Sequence, residues 1–233
     1  HLKPALSPQR TAMKTLKPPL WRPVKSWQTC KSVLPARVSS RSYLSPLSMP
    51  QSIHRSDDLI TLFNQTFSQS ENTRLVCCEP EPIYRPADDH HPYHRIVFAH
   101  GFFASALHEI AHWCVAGKAR RLKEDFGYWY QPDGRSPEQQ ALFEQVEVRP
   151  QAFEWIFSQA AGFRFHFSAD NLEGGTGPSS AFKQNVWECV QTLLSEGLPS
   201  RAHRWTQVLA DHYRQGYFPS RDQFTLPSDS VAE

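Results

Sequence analysis

Apolar side chains recur every three or four residues in several segments of the chain, which is the spacing of an amphipathic helix. This pattern predicts helices over 56–68, with Ser56 as N-cap, over 105–121, and near 181–196 and 201–214. Two short apolar runs, 74–78 and 95–99, predict strands, and the aromatic run 126–130 predicts another.

Prolines and glycines divide the remaining segments. Ser136, Pro137 and Glu138 mark a helix start, because serine caps the first turn and proline fits the first helical position. That helix is predicted to reach Val148 and to end or kink at Pro150, with a second helical stretch to about residue 161. Residues 79–94, with four prolines, and 170–180, rich in glycine, are predicted loops. The fold class is therefore α+β: a mostly helical single domain with a small β-sheet packed beside the 105–121 helix.

The charge is unevenly distributed along the chain. Residues 1–48 contain nine Lys or Arg and no Asp or Glu, whereas the other 185 residues hold 16 basic and 23 acidic side chains. Such a segment fits a disordered basic arm, an organelle-targeting segment, or translated sequence upstream of a true start at Met49. We expect the last of these, with 1–48 as a disordered tail and 49–233 as the folded domain.

The composition also excludes some classes of protein. No stretch approaches the roughly 18–20 apolar residues of a membrane span, and no basic stripe with interleaved aromatics suggests nucleic-acid binding. The five cysteines include no CxxC pair, and the adjacent Cys77 and Cys78 suit neither a disulfide framework nor a zinc knuckle, which favours a reducing compartment. We expect a cytoplasmic monomer.

The segment from His108 to His112 has the form HExxH, the motif of the zincin-like helix. On a helix its two histidines lie on one face, about 6 Å apart along the axis, where both imidazoles can bind one ion. Glu109 is placed beside that ion and can reach a water bound there. The motif therefore predicts a divalent-metal site with Glu109 as a catalytic group.

A third ligand must come from elsewhere in the chain. Glu144 and Glu147 are the best candidates, three residues apart on the predicted 137–148 helix, and the position of Glu147 just before the Pro150 break slightly favours it. His100 ends a predicted buried strand and is either a group that supports the metal ligands, a substrate contact, or an ordinary core histidine. Tyr130, in the aromatic run, is either a group that supports the metal ligands, a substrate contact in a pocket, or simply part of the core.

The chain resembles the bacterial elongation factor P hydroxylase family. The likeness covers nearly everything from about residue 54 onward and leaves 1–48 unmatched. The segments that carry it are RIVFAHGF (95–102), ASA (104–106), HEI (108–110), HWC (112–114), AGKARR (116–121), FGYWY (126–130), PDGR (132–135), VEV (146–148) and DNLEG (170–174).

The resemblance implies a hydroxylase that acts on a lysine of elongation factor P already carrying a β-lysyl group. It implies a two-histidine, one-carboxylate metal site, which falls on His108, His112 and Glu147. Such a site suits Fe(II) and O2, since it leaves positions open for oxygen and substrate, although zinc and manganese accept the same ligands.

Two other functions are compatible with the same residues. HExxH followed by a distant glutamate is also the pattern of a zinc-dependent peptidase or amidase, in which Glu109 acts as general base. A non-catalytic binding module with a structural metal is the third hypothesis.

Overall fold

Five α-helices, a three-stranded sheet and two short 3-10 turns make up residues 53–125, 135–169 and 177–226, the parts of the chain that the computed structural model describes. All of them belong to one unit of the chain, Met49–Glu233. The elements are α1 (Ser56–Phe67), β1 (Thr73–Glu79), β2 (Ile83–Arg85), β3 (His94–Ala99), α2 (Phe103–Val115), α3 (Pro137–Ala161), α4 (Ser180–Glu196) and α5 (Ser200–Tyr213), with 3-10 turns at Arg120–Leu122 and Arg221–Gln223. The predicted α+β class is confirmed.

The sheet has the order β1-β3-β2, with β3 parallel to β1 and antiparallel to β2. Both strands predicted before residue 100 are present, but β2 lies inside the segment predicted to be a loop. Prolines at 82 and 86 flank β2. Because a proline has no N–H to donate, a strand between two of them stays short and lies at the sheet edge.

The neighbouring residues Cys77 and Cys78 lie near the end of β1, where its register against β3 shifts. Their sulfur atoms are joined, contrary to the sequence-based expectation, whereas Cys114 and Cys189 are free thiols.

Helix α3 is central, because it packs against α2, α4 and α5. Phe153, Ile156 and Phe157 in its second half have no exposed surface. On α5, Trp205 is equally buried and meets Phe63 of α1 edge to face, with ring centroids 5.5 Å apart. Burying each side chain of this size contributes about 1.5–3 kcal/mol, and this core fixes α2 against α3.

Helix α3 continues through Pro150 as one helix of 25 residues, so the alternative that Pro150 ends the helix is wrong. Its start is as predicted: Ser136 and Gln139 form a capping box. The proline removes one backbone hydrogen bond. Burial of the following residues offsets that loss, since Ala152 and Phe153 are fully enclosed.

Helix α2 ends at Val115, about a turn and a half before the predicted end at residue 121. Ala116 is already extended, and its carbonyl accepts a hydrogen bond of 2.6 Å from Nη2 of Arg201, a residue of α5. The basic cluster formed by Lys118, Arg120, Arg121 and Lys123 therefore lies beyond the end of α2 rather than in its last turn. Two of its members pair with carboxylates instead: Arg120 with Asp125, and Arg121 with Glu71.

The other predicted helices are confirmed with small changes at their ends. Helix α1 has Arg55 rather than Ser56 as its N-cap, without a side-chain cap hydrogen bond. The hydroxyl of Ser179 caps α4 by accepting from the backbone N–H of Phe182 at 3.0 Å. Among the helices of the described ranges, none is both long enough and apolar enough to cross a membrane.

Candidate metal centre

His108 and His112 lie one turn apart on α2, and the Nε2 atom of each ring faces the Nε2 atom of the other. Their Nε2 atoms are 3.0 Å apart. The opposite face of the helix is anchored, because Leu107, Ile110 and Ala111 have no exposed surface. Rotating α2 would expose this apolar surface, so the packing holds both imidazoles over the same point.

Glu147 of α3 faces the two histidines. Its Oε1 lies 3.4 Å from Nε2 of His112, and its Oε2 lies 3.8 Å from Nε2 of His108. The residue is only 3% exposed. Glu144, the other glutamate that the sequence left open, instead accepts a hydrogen bond of 2.6 Å from the hydroxyl of Ser179, the N-cap of α4. The structure thus places one of the two candidates at the site and the other at a helix cap.

The spacing of these three side chains suits a divalent ion. Ligand atoms about 2.1 Å from a common ion are about 3.0 Å apart at a right angle and about 3.4 Å apart at a tetrahedral angle. The separations between Nε2 of His108, Nε2 of His112 and the Glu147 oxygens run from 3.0 to 3.8 Å. Two imidazoles and a carboxylate suit iron, zinc and manganese alike. The residues therefore fit a metal ion without selecting among these three.

The two histidines differ in protonation. Burial opposes the charged imidazolium and on its own would lower the pKa of His108, but nearby carboxylates, foremost that of Glu154, raise this pKa to about 10. Burial holds the pKa of His112 well below its usual value, and the charges of His108 and Arg120 lower it further. These opposite shifts favour a protonated His108 and a neutral His112. A metal ion bound there would take the place of the His108 proton, as ligand histidines must be neutral.

Glu154, a second glutamate of α3, contacts the other side of the His108 ring. Its Oε2 is 2.8 Å from Nδ1 of His108, and the residue is 9% exposed. It follows Glu147 by seven residues, which is two helical turns, so the two carboxylates share a face of α3. Sequence reasoning missed Glu154. The spacing of seven is the signal that could have found it, but the predicted break at Pro150 concealed that both residues lie on one helix.

A cleft borders His112. Its lining includes Glu109 and His112 of α2, Tyr84 of β2, and Arg120 and Asp125, which follow α2. Backbone hydrogen bonds join Tyr84 to Asp125, and Nη2 of Arg120 donates to Asp125 Oδ1 at 3.1 Å. Glu109, the second residue of the HExxH motif, therefore borders the same cleft as His112.

Of the two other predicted site residues, His100 and Tyr130, the structure describes only the first. His100 is exposed, has a φ of 56°, and contacts the ring of Phe102, so the alternative of a core histidine is wrong. The residue that hydrogen-bonds Nδ1 of His108 is Glu154 rather than His100. A substrate contact by His100 stays a prediction. Tyr130 and the strand predicted at 126–130 lie outside the described residues.

Comparison with known proteins identifies the family. Residues 62–224 match the family model described as elongation factor P hydroxylase. The chain is also similar to the elongation factor P lysine hydroxylase of Haemophilus influenzae, with 57% identity over 160 residues, which are 69% of this chain and 90% of that protein. The protein is thus an α+β protein in which His108, His112 and Glu147 form a candidate metal site. The chain belongs to the elongation factor P hydroxylase family.

Proposed function

We propose that this protein is an iron-dependent oxygenase that hydroxylates the β-lysylated lysine of elongation factor P, as the last step in modifying that factor. Family membership supports the hydroxylation, and the name of the Haemophilus influenzae relative supports elongation factor P as the substrate. The observation that carries the metal dependence is the group His108, His112 and Glu147, whose candidate ligand atoms lie within 4.8 Å of one another. Oxidation of an unactivated C–H bond needs such a cofactor, because no protein side chain supplies the oxidant.

Each of these three residues would hold the ion through one atom. Two imidazoles and a carboxylate would hold Fe(II) with positions left for O2 and substrate, and the ion would supply the activation of O2. The chain positions the ligands by packing α2 against α3, since the histidines lie on the first helix and the glutamate on the second. The overall change adds one oxygen atom to the lysine and releases the other as water, with two electrons and two protons from an external reductant.

Glu109 would move protons in this reaction. Its carboxylate borders the cleft beside His112, so it has access both to solvent and to the space in which the substrate reacts. A positioned carboxylate of this kind typically contributes 10²–10⁴-fold to a rate by transferring protons. This role explains why a glutamate follows the first histidine in an enzyme that does not hydrolyse its substrate.

The cleft would accept the modified lysine side chain. That side chain is long and carries ammonium groups, and the cleft offers it the Tyr84 ring and the carboxylate of Glu109. On the surrounding surface, the basic cluster is the candidate for docking an acidic part of the factor. Lys118 and Lys123 are exposed, whereas Arg120 and Arg121 are partly buried and paired with carboxylates. We expect a cytoplasmic monomer that needs neither membrane nor nucleic acid.

The test uses the full chain loaded with Fe(II) in the absence of oxygen. Elongation factor P that carries the β-lysyl group is then added with O2 and a reductant, and its intact mass is measured. We expect a gain of one oxygen atom on the modified lysine. Unmodified factor and metal-free enzyme are the controls and should show no gain. Absence of any gain with the loaded enzyme would refute the proposal.

The zinc-dependent peptidase is the second candidate, and the HExxH pattern is the observation behind it. Neither the family match nor the relative favours it. The peptidase hypothesis predicts that zinc-loaded protein cleaves peptides and that Glu109→Gln abolishes the cleavage. We expect no cleavage of a broad peptide mixture.

A further inference from the structure

The carboxylate of Glu154 contacts the ring of His108. The two nitrogens of an imidazole point to different sides of the ring, and here each has its own carboxylate. Nδ1 of His108 lies 2.8 Å from Glu154, whereas Nε2 faces His112 and Glu147. We propose that Glu154 is a positioning residue, which orients His108 for metal binding without touching the ion.

A hydrogen bond at Nδ1 determines what Nε2 can do. When Nδ1–H donates to Glu154, the neutral ring keeps its lone pair on Nε2, the atom that faces the candidate metal position. The carboxylate also fixes the ring orientation and makes Nε2 more basic. Supporting groups of this kind typically contribute about 10–100-fold to metal affinity.

The placement of Glu154 on α3 strengthens this interpretation. Glu147 and Glu154 lie two turns apart on one face of a continuous helix, so α3 supplies both the ligand and the support for a ligand on α2. The residue is nearly buried, and desolvating a carboxylate is costly unless it has a partner.

The inference rests on the metal centre proposed above but not on the reaction performed there, so metal binding alone can test it. Zinc is the probe, because these ligands accept it and it allows NMR. We would measure the zinc affinity of the wild type, Glu154→Gln and Glu154→Ala by competition with a chelator. Glu138→Gln is the matched control, since Glu138 is an exposed residue in the first turn of the same helix.

We expect zinc binding to weaken by about 10–100-fold in Glu154→Ala. The loss should be smaller in Glu154→Gln, which keeps an acceptor oxygen but loses the charge, and the Glu138→Gln control should bind as the wild type does. Equal affinity in the wild type and both Glu154 variants would overturn the inference. If Glu154→Ala does not fold, the conservative Gln variant decides.

A second measurement separates positioning from general support of the fold. In the zinc-loaded wild type, long-range proton–nitrogen NMR spectra should show the His108 proton on Nδ1, exchanging slowly with solvent. In Glu154→Ala the exchange should become fast while the His112 signals stay unchanged. Unaltered exchange at His108 would contradict the proposal, as would a loss of affinity in Glu154→Gln equal to that in Glu147→Gln, because Glu154 would then act as a ligand. A wild type that binds no zinc, iron or manganese would overturn both this inference and the proposed metal centre.

Discussion

Replacing Glu147 by glutamine tests most directly whether this residue is the proposed third metal ligand. The change keeps the size of the side chain but removes the negative charge that lies 3.4 Å from Nε2 of His112. A metal ion at a hundred times its dissociation constant stabilises the folded state by about 2.7 kcal/mol. In a domain of this size, one kcal/mol corresponds to about 2–4 °C in the unfolding midpoint. We therefore expect the ion to raise the midpoint of the wild type by about 5–11 °C.

A hundredfold loss of affinity in Glu147→Gln would leave about 0.4 kcal/mol at the same metal concentration. The metal-dependent rise in the midpoint should then shrink to about 1–2 °C. The assay is thermal unfolding followed by circular dichroism, with and without the ion. Taking the difference between the two states cancels any effect of the substitution on the metal-free fold.

Glu144→Gln is the matched control for this experiment. Glu144 lies three residues earlier on α3 and accepts its hydrogen bond from the N-cap of α4. Its substitution should lower the midpoint with and without metal but leave the difference between them intact. A full metal-dependent rise in Glu147→Gln, or its loss in Glu144→Gln, would refute the assignment of the ligand.

Three further substitutions test other parts of the account. Glu109→Gln should keep the metal-dependent rise in the midpoint but slow single-turnover hydroxylation by about 10²–10⁴-fold, so an unchanged rate measured by mass spectrometry would exclude the proton-transfer role. His100→Asn, at an exposed position whose φ of 56° asparagine tolerates, should change the free energy of unfolding by less than about 0.5 kcal/mol and leave metal affinity unchanged; weaker metal binding in calorimetry would show instead that His100 supports the metal ligands. Phe157→Ala, at a position with no exposed surface on α3, should cost about 3–5 kcal/mol in urea unfolding, and a cost below about 1 kcal/mol would show that this packing is not essential.

Local features of the sequence predicted much of the fold and the core of the site. The spacing of four between His108 and His112 has meaning only on a helix, and the apolar residues around them predict that helix. Ser136 and Pro137 predicted the start of α3, because helix capping depends on a few adjacent residues. The sequence could also narrow the third ligand to Glu144 or Glu147, because both lie on that helix.

The missed features depend on contacts between distant parts of the chain. The end of α2 is bound by Arg201, which lies 85 residues beyond the capped carbonyl of Ala116. Strand β2 forms because β3 offers it a partner, although its own prolines indicate a loop. Pro150 is tolerated inside α3 because the core buries the next turns of the helix. That last error had a consequence for function, since it separated Glu154 from Glu147 and hid the carboxylate behind His108.

The central claim is that the metal held by α2 and α3 uses O2 to hydroxylate elongation factor P. The most direct measurement is the mass of β-lysylated factor after reaction with iron-loaded enzyme under oxygen gas labelled with the heavy isotope. We predict that one labelled oxygen atom appears on the modified lysine and that it is absent when Glu147→Gln replaces the wild type. Oxygen derived from water, or equal labelling by Glu147→Gln, would contradict the account.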